Sequence, residues 1–170
     1  MEQPAVTILN SQSSMAISTV RPDGWPQTTI VGYANHGFDL VFLIYRASQK
    51  YANIQNDDRI SIAVVAEGKA LSELRAVYAG AHAREITQPE EREQAWKMLM
   101  ERHANLAGFK IPDPGDAVFM SATCKYVSVL DFTQGIGHRE QLTIGGDGTP
   151  QNVEQDRVEW ARGSASKPSG

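Results

Sequence analysis

The chain has 170 residues, of which 41% are hydrophobic and 21% charged, with a formal net charge of −4. That length suits one domain whose core needs no covalent or metal staples. The weak acidity gives no electrostatic reason to expect nucleic acid or an anionic membrane surface as a partner.

In chain order, residues 1–13 read as a short arm or helix. They lack the basic start and unbroken apolar run of a signal peptide, and no later window is long enough for a membrane span. A cytoplasmic protein without a membrane partner is the expectation. A first strand is expected over 15–20, followed by a turn at Arg21-Pro22-Asp23-Gly24. Proline fixes φ there, and Asp-Gly favours the tight geometries that reverse a chain. Pro26 falls at the edge of the next strand, where it costs no ladder hydrogen bond. That second strand spans 28–34, and a turn at Asn35-His36-Gly37 leads to a third over 39–45. Glycine can supply the positive φ such turns often need. Apolar residues fall on both parities in 28–33, and 40–45 is apolar nearly throughout. A strand covered on both faces, or one closed into a barrel, has that pattern.

The third strand runs into Arg46-Ala47-Ser48-Gln49-Lys50, which reads as the opening of a short helix ending near Asn56-Asp57-Asp58. A serine N-cap, first-turn N–H groups without intrahelical partners and a lysine together make an anion pocket. A phosphate at this corner is one reading; an ordinary cap beside a solvated lysine is the other. A fourth strand follows over 59–65, a turn at 67–69 and a fifth strand over 74–86. The small residues Ala79-Gly80-Ala81 in the fifth strand either admit a close neighbour or mark a barrel bend.

Thr87-Gln88-Pro89-Glu90 reads as a capping box with an early proline. The helix it opens carries Trp96, Leu99 and Met100 on its buried side, His103 at the edge of that side, and Glu91, Glu93 and Glu101 in water. A loop over 111–115, a short piece over 117–120 and a last strong strand over 123–133 complete the pattern. Cys124, the only cysteine, lies in that strand, so no internal disulfide or cysteine-rich metal site is available and a buried, inert thiol is expected. Past Gly135-Ile136-Gly137-His138 the alternation fades, and residues 145–148 and 164–170 read as mobile low-complexity segments. The expected division is a domain over 1–140 and a partly flexible tail over 141–170. Six or so strands with two helical excursions make a mainly β (α+β) antiparallel barrel, since the connections are too short for successive right-handed crossovers.

Familiar catalytic patterns are missing. No Gly-x-Gly-x-x-Gly follows a strand and opens a helix, and there is no Walker loop, Gly-x-Ser-x-Gly elbow or His-Glu-x-x-His. His36, His82, His103 and His138 are scattered without a second ligand at motif spacing, so no metal site is expected. A phosphate corner on a small barrel would need a bound cofactor to supply the chemistry.

The segments MAISTVRPDGWPQTTIV, LVFLIYRASQKYANIQNDDRISI, LRAVYAGAHAREI and KYVSVLDFT occur in this order over roughly residues 5–138. Together they resemble the pyridoxamine 5′-phosphate oxidase-like family of FMN-binding split barrels. The middle segment is the most specific, with an apolar strand, Ser48-Gln49-Lys50, Ile54 in a short helix, and Asp57-Asp58 before the next strand. The resemblance implies a six-stranded antiparallel split barrel with two flanking helices. It also implies a homodimer with a flavin at the subunit interface. By the same resemblance Ser48, Gln49 and Lys50 stand at the FMN phosphate, Thr28, Thr29 and Ile30 along the ribityl chain and ring, and Leu43, Ile44 and Tyr45 on the facing strand. Arg75 falls near a polar residue that approaches ring or phosphate.

Gln49 and Thr28 stand where the oxidase proper has arginines, and Asp156-Arg157-Val158-Glu159-Trp160 does not match its substrate-holding tail. What is implied is therefore an FMN-dependent oxidoreductase acting on an unidentified small molecule or a nicotinamide nucleotide, not a pyridoxamine phosphate oxidase. The alternatives are a non-enzymatic FMN carrier, or a barrel that has exchanged FMN for deazaflavin or haem. In a haem protein His138 would be the axial ligand to watch.

Overall fold

The computed structural model describes residues 2–66, 68, 70–145 and 150–157, with 2, 3 and 150–157 by their backbone. The turn expected at 67–69, the glycine-rich stretch at 145–148 and the segment 164–170 fall almost wholly outside these residues. In chain order the elements are α1 (Glu2–Ser11), β1 (Ser14–Val20), β2 (Pro26–His36), β3 (Asp39–Tyr45), α2 (Gln49–Asn56) and β4 (Arg59–Ala66). There follow β5 (Arg75–Glu85), α3 (Pro89–Arg102), β6 (Ala117–Asp131), β7 (His138–Ile144) and β8 (Pro150–Arg157).

Every strand pairing is antiparallel. The order β3-β2-β1-β4-β5-β6 closes on itself through a β3–β6 pairing, giving a six-stranded barrel, and β7 and β8 extend the sheet beyond β6. β6 serves both arrangements along one edge, pairing Ala117–Thr123 with β3 and Tyr126–Leu130 with β7. Between these stretches the register against β5 shifts, with Gly80 opposite Tyr126 and Ala81 opposite Cys124, which leaves Lys125 as the extra residue of a bulge. A bulge bends a strand and re-aims it. The Tyr126 ring lies against Gly80, where a Cβ would come within 2.3 Å of it. Both readings of Ala79-Gly80-Ala81, close approach and barrel bend, therefore describe what is found there.

Alternation sets the faces. Met15, Ile17 and Thr19 of β1 are buried, as are Leu40, Phe42 and Ile44 of β3 and Ile60, Ile62 and Val64 of β4. Ala5, Ile8 and Leu9 of α1 join this core. Because α1 touches β2 and β5, on opposite sides of the ring, it lies across one mouth of the barrel. α2 sits at the other mouth. Ile54 enters the core there, and the fully buried Asn53 Nδ2 donates to Thr19 Oγ1 and Gln27 Oε1, both at 2.9 Å. α3 packs outside the ring through Ala95, Trp96 and Leu99 on Ala34, Ile86 and Phe119, with Val41 and Leu43 beside them. β3 is thus covered on both faces, which is why its sequence shows no alternation.

Several expectations need correction. The two flanking helices expected are α2 and α3, while residues 2–11, expected as an arm or helix, form the helix α1. The pieces expected at 117–120 and 123–133 are one strand, joined through Ser121 and Ala122. β7 and β8 lie where the alternation fades. The capping box does not form, since Gln88 is the N-cap of α3 and makes no side-chain bond to the helix. Glu91, still partly exposed, also forms a surface ion pair with Arg84. Among the described residues no helix is long and apolar enough to cross a membrane.

Candidate functional site

β2 and β3 are paired only from Tyr33–Phe42 to His36–Asp39. Beyond Tyr33, β2 stays with β1 while β3 stays with β6, so the two strands part and their facing edges carry no ladder. A groove of about 470 Å³ opens along this parting, within the size range of small-molecule sites. Ile30, Val31 and Gly32 line one side, and Leu43, Ile44 and Tyr45 the other. Trp96 of α3 and Leu106, Phe109 and Pro112 of the α3–β6 loop cover it, and Lys50, Lys110 and Asp116 supply its charges.

At the α2 end, Ser48 caps the helix as the sequence predicts. Its backbone is extended, its Oγ accepts from the Tyr51 N–H at 3.3 Å and donates to Tyr45 O at 2.7 Å. The hydroxyl is thus engaged in holding the corner. Lys50 is half-buried on the groove and makes no ion pair among the described residues. A partly desolvated cation without a counter-charge favours an anion beside it.

Arg46, considered with the phosphate corner, is held elsewhere. Its Nε donates to Pro114 O at 2.6 Å, Nη1 to the Tyr51 hydroxyl at 2.8 Å, and Nη2 pairs with Glu85 at 2.5 Å. Tyr51 also donates to Glu85 at 2.6 Å. Burial alone would raise the Glu85 pKa, but the hydrogen bonds from Tyr51 and Arg46 hold it below the ordinary glutamate value.

Of the residues the sequence nominates, the structure brings Ile30, Leu43, Ile44, Tyr45 and Lys50 together in the groove, with Ser48 at its corner. Gln49 faces along its own helix, donating to Asn53 Oδ1 at 2.9 Å. Thr28 stands on the outer face, with its hydroxyl 2.7 Å from Ser18 Oγ. Thr29 pairs with the core residue Ile17 and so points inward. Its Oγ1 is buried and has no hydrogen-bond partner among the described residues. Arg75 pairs with Ala66 and Asp131 at the end of β5 remote from Glu85, away from the groove within one chain.

His103 is half-buried at the edge of the packed side of α3, as expected. His138 is only 7% exposed. Its Nε2 lies 3.1 Å from Glu140 Oε1, and it stands on β7, outside the ring. His103 caps the C-terminus of α3, and its ring lies over Gly32 on the groove wall. No cluster of metal-ligating side chains occurs among the described residues. The sequence reading missed the α3–β6 loop as part of the site. Phe109 and Ile111, apolar residues in an otherwise polar, irregular stretch, were the available signal.

The sequence profile of the pyridoxamine 5′-phosphate oxidase family matches residues 1–131. The chain belongs to that family. None of the curated proteins matches the family member described here. Solved structures with the same fold include a haem-binding protein from Mycobacterium smegmatis, at 21% identity and a TM-score of 0.72, covering 84% of this chain and 57% of that one. Campylobacter jejuni ChuZ matches at 16% identity and 0.71, covering 92% of this chain and 67% of that one. HutZ, a haem storage protein from Vibrio cholerae, matches at 15% identity and 0.58, covering 72% and 89% respectively. At these identities the likeness is one of fold. The chain spans little more than half the length of the Mycobacterium smegmatis protein.

Proposed function

We propose that the groove between β2 and β3 binds FMN and that the protein is an FMN-dependent oxidoreductase for a small organic molecule or a nicotinamide nucleotide. The observation that carries this reading is the parting of the two strands beside Lys50. Unpaired strand edges offer hydrogen-bonding groups to a polar ring edge, apolar side chains offer a flat bed, and one unpaired lysine at the helix end suits a phosphate. When bound, a flavin supplies hydride and electron transfer. The chain's own part is to hold and orient it: Lys50 and the α2 N-terminus at the phosphate, Ile30, Leu43 and Ile44 along the ring, and Trp96 and Phe109 excluding water. With Gln49 turned along its helix and Arg46 engaged by Glu85, neither side chain is free to hold a second phosphate at this corner, which supports a substrate other than pyridoxamine phosphate. The setting proposed is the cytoplasm, where reduced nicotinamide is at hand.

The same reading includes a homodimer. Ile30, Ala16, Ala63 and Tyr78 form one row across four strands on the outer face of the barrel. Ile30 is 69% and Tyr78 42% exposed, and an apolar row of this kind next to the groove suits a C2 interface that completes the site.

A second reading, haem in the same groove, is favoured by the Mycobacterium smegmatis and Vibrio cholerae proteins, named for haem binding and haem storage. Haem too is planar with anionic groups. The visible spectrum of the purified protein separates the two, a flavin spectrum supporting the first reading and a Soret band the second. Replacing Lys50→Met tests the corner. It removes one charge-assisted contact worth about 1.5–3 kcal/mol, so FMN affinity is expected to fall roughly tenfold to a hundredfold while riboflavin, which lacks the phosphate, binds as before. Equal losses for both flavins would mean that the barrel, not a phosphate contact, was damaged.

A further inference from the structure

A recess of about 180 Å³ opens off the groove and shares Gly32, Leu43 and Leu106 with it. Leu99, Asn105 and His103 complete its wall. An apolar cavity of about 150 Å³ is enough to admit benzene, so the volume fits a single ring. Among the described residues, His103 is the only titratable side chain on this wall.

Two contacts fix that imidazole. Its Nε2 lies 3.0 Å from Tyr33 O, and a carbonyl can only accept, so Nε2 carries the proton. In the neutral ring Nδ1 then keeps its lone pair, and it has no partner among the described residues. The ring also rests on β2 at a glycine, since a Cβ at Gly32 would come within 2.9 Å of it. The neighbouring Arg102 is tied to Leu9 O, Gln12 O and Asn35 Oδ1, so it does not compete for the imidazole. A histidine of defined tautomer thus lines a small pocket whose other walls are largely leucine.

We propose that this recess is a subsite for a one-ring ligand carrying an O–H or N–H donor, a phenol or an azole, with His103 Nδ1 accepting its hydrogen bond. As the place where a substrate meets the bound flavin, the subsite rests on the FMN reading. The recognition of the ring and its donor does not. His103 is here a binding and specificity residue.

Phenol and toluene, alike in shape and differing in the donor, test this on flavin-free protein by calorimetry and by imidazole nitrogen shifts. The expected result is phenol bound about tenfold more tightly than toluene, the value of one net hydrogen bond, with the His103 Nδ1 resonance moving on phenol addition. His103→Leu keeps the apolar wall and should bind both ligands alike. Gly32→Ala, which pushes the ring off Tyr33 O, should also abolish the preference. Equal binding of phenol and toluene by the parent, no phenol binding by the parent, or a preference surviving in His103→Leu would each overturn the proposal. FMN titrations of parent and His103→Leu run alongside. If phenol is preferred but FMN does not bind the parent, the subsite stands and the flavin reading falls.

Discussion

Cys124 shows how much a single buried residue can be read in advance. Its thiol is 2% exposed, and burial, aided by the charge of Asp39, pushes its pKa up to about 12. Only the thiolate reacts with alkylating agents. Iodoacetamide at neutral pH should therefore leave the native protein unmodified and label one site per chain after denaturation in urea, as mass spectrometry would report. Labelling of the native protein at the denatured rate would show that the strand opens readily. Ser48 and Lys50 were similarly legible, because a cap and a first-turn lysine are local features. Thr29 and Arg46 were not. Thr28 and Thr29 are chemically alike, and only pairing with Ile17 decides which of them points inward. Arg46 looks like a free cation until Glu85, 39 residues away, is brought beside it.

At the scale of elements, the corner between β3 and α2 is held by the triangle of Arg46, Tyr51 and Glu85. Glu85 has its pKa lowered by folding despite its burial. A carboxylate of this kind adds stability that is complete above its ordinary pKa and is lost as pH falls through the lower folded value. Glu85→Gln should thus lower stability at neutral pH by about 1–3 kcal/mol through lost charged hydrogen bonds. It should also make the loss of stability on acidification shallower than in the parent. Urea titrations of both proteins at neutral and acid pH measure the two effects, and parallel pH profiles would contradict this account of Glu85. Elements with strong alternation or clear turn residues were read correctly from sequence. β7 and β8 were not, because HREQLTI and PQNVEQDR, which extend the sheet beyond the barrel, are mostly polar. In β7 only Leu142 and Ile144 carry the apolar signal into the core. The groove was half legible for a related reason: its strand walls follow sequence patterns, whereas its cover comes from an irregular loop.

For the whole molecule, the apolar row on the outer face is the feature that a single chain leaves uncovered. Val65 and Tyr126, 45% and 47% exposed, add to it. Sedimentation of the parent is expected to give twice the mass of one chain, and Ile30→Asp combined with Tyr78→Asp the mass of one. A parent that sediments as a single chain, with or without added FMN, would remove the dimer from the proposed function. The double variant should keep its far-ultraviolet spectrum, since both positions lie outside the core.

The helix that closes one mouth of the barrel has a further consequence, for the order in which the protein is made. α1 ends at Ser11, whereas β6, the strand that completes the ring beneath it, ends at Asp131, 120 residues later. At about 5–20 residues per second of synthesis, the apolar face of α1 waits roughly 6–24 s on the ribosome before its seat exists. Through that interval Ala5, Ile8 and Leu9 have no finished surface to cover. The stopper therefore emerges well before its vessel, and helpers that shield nascent apolar segments have a long task at α1.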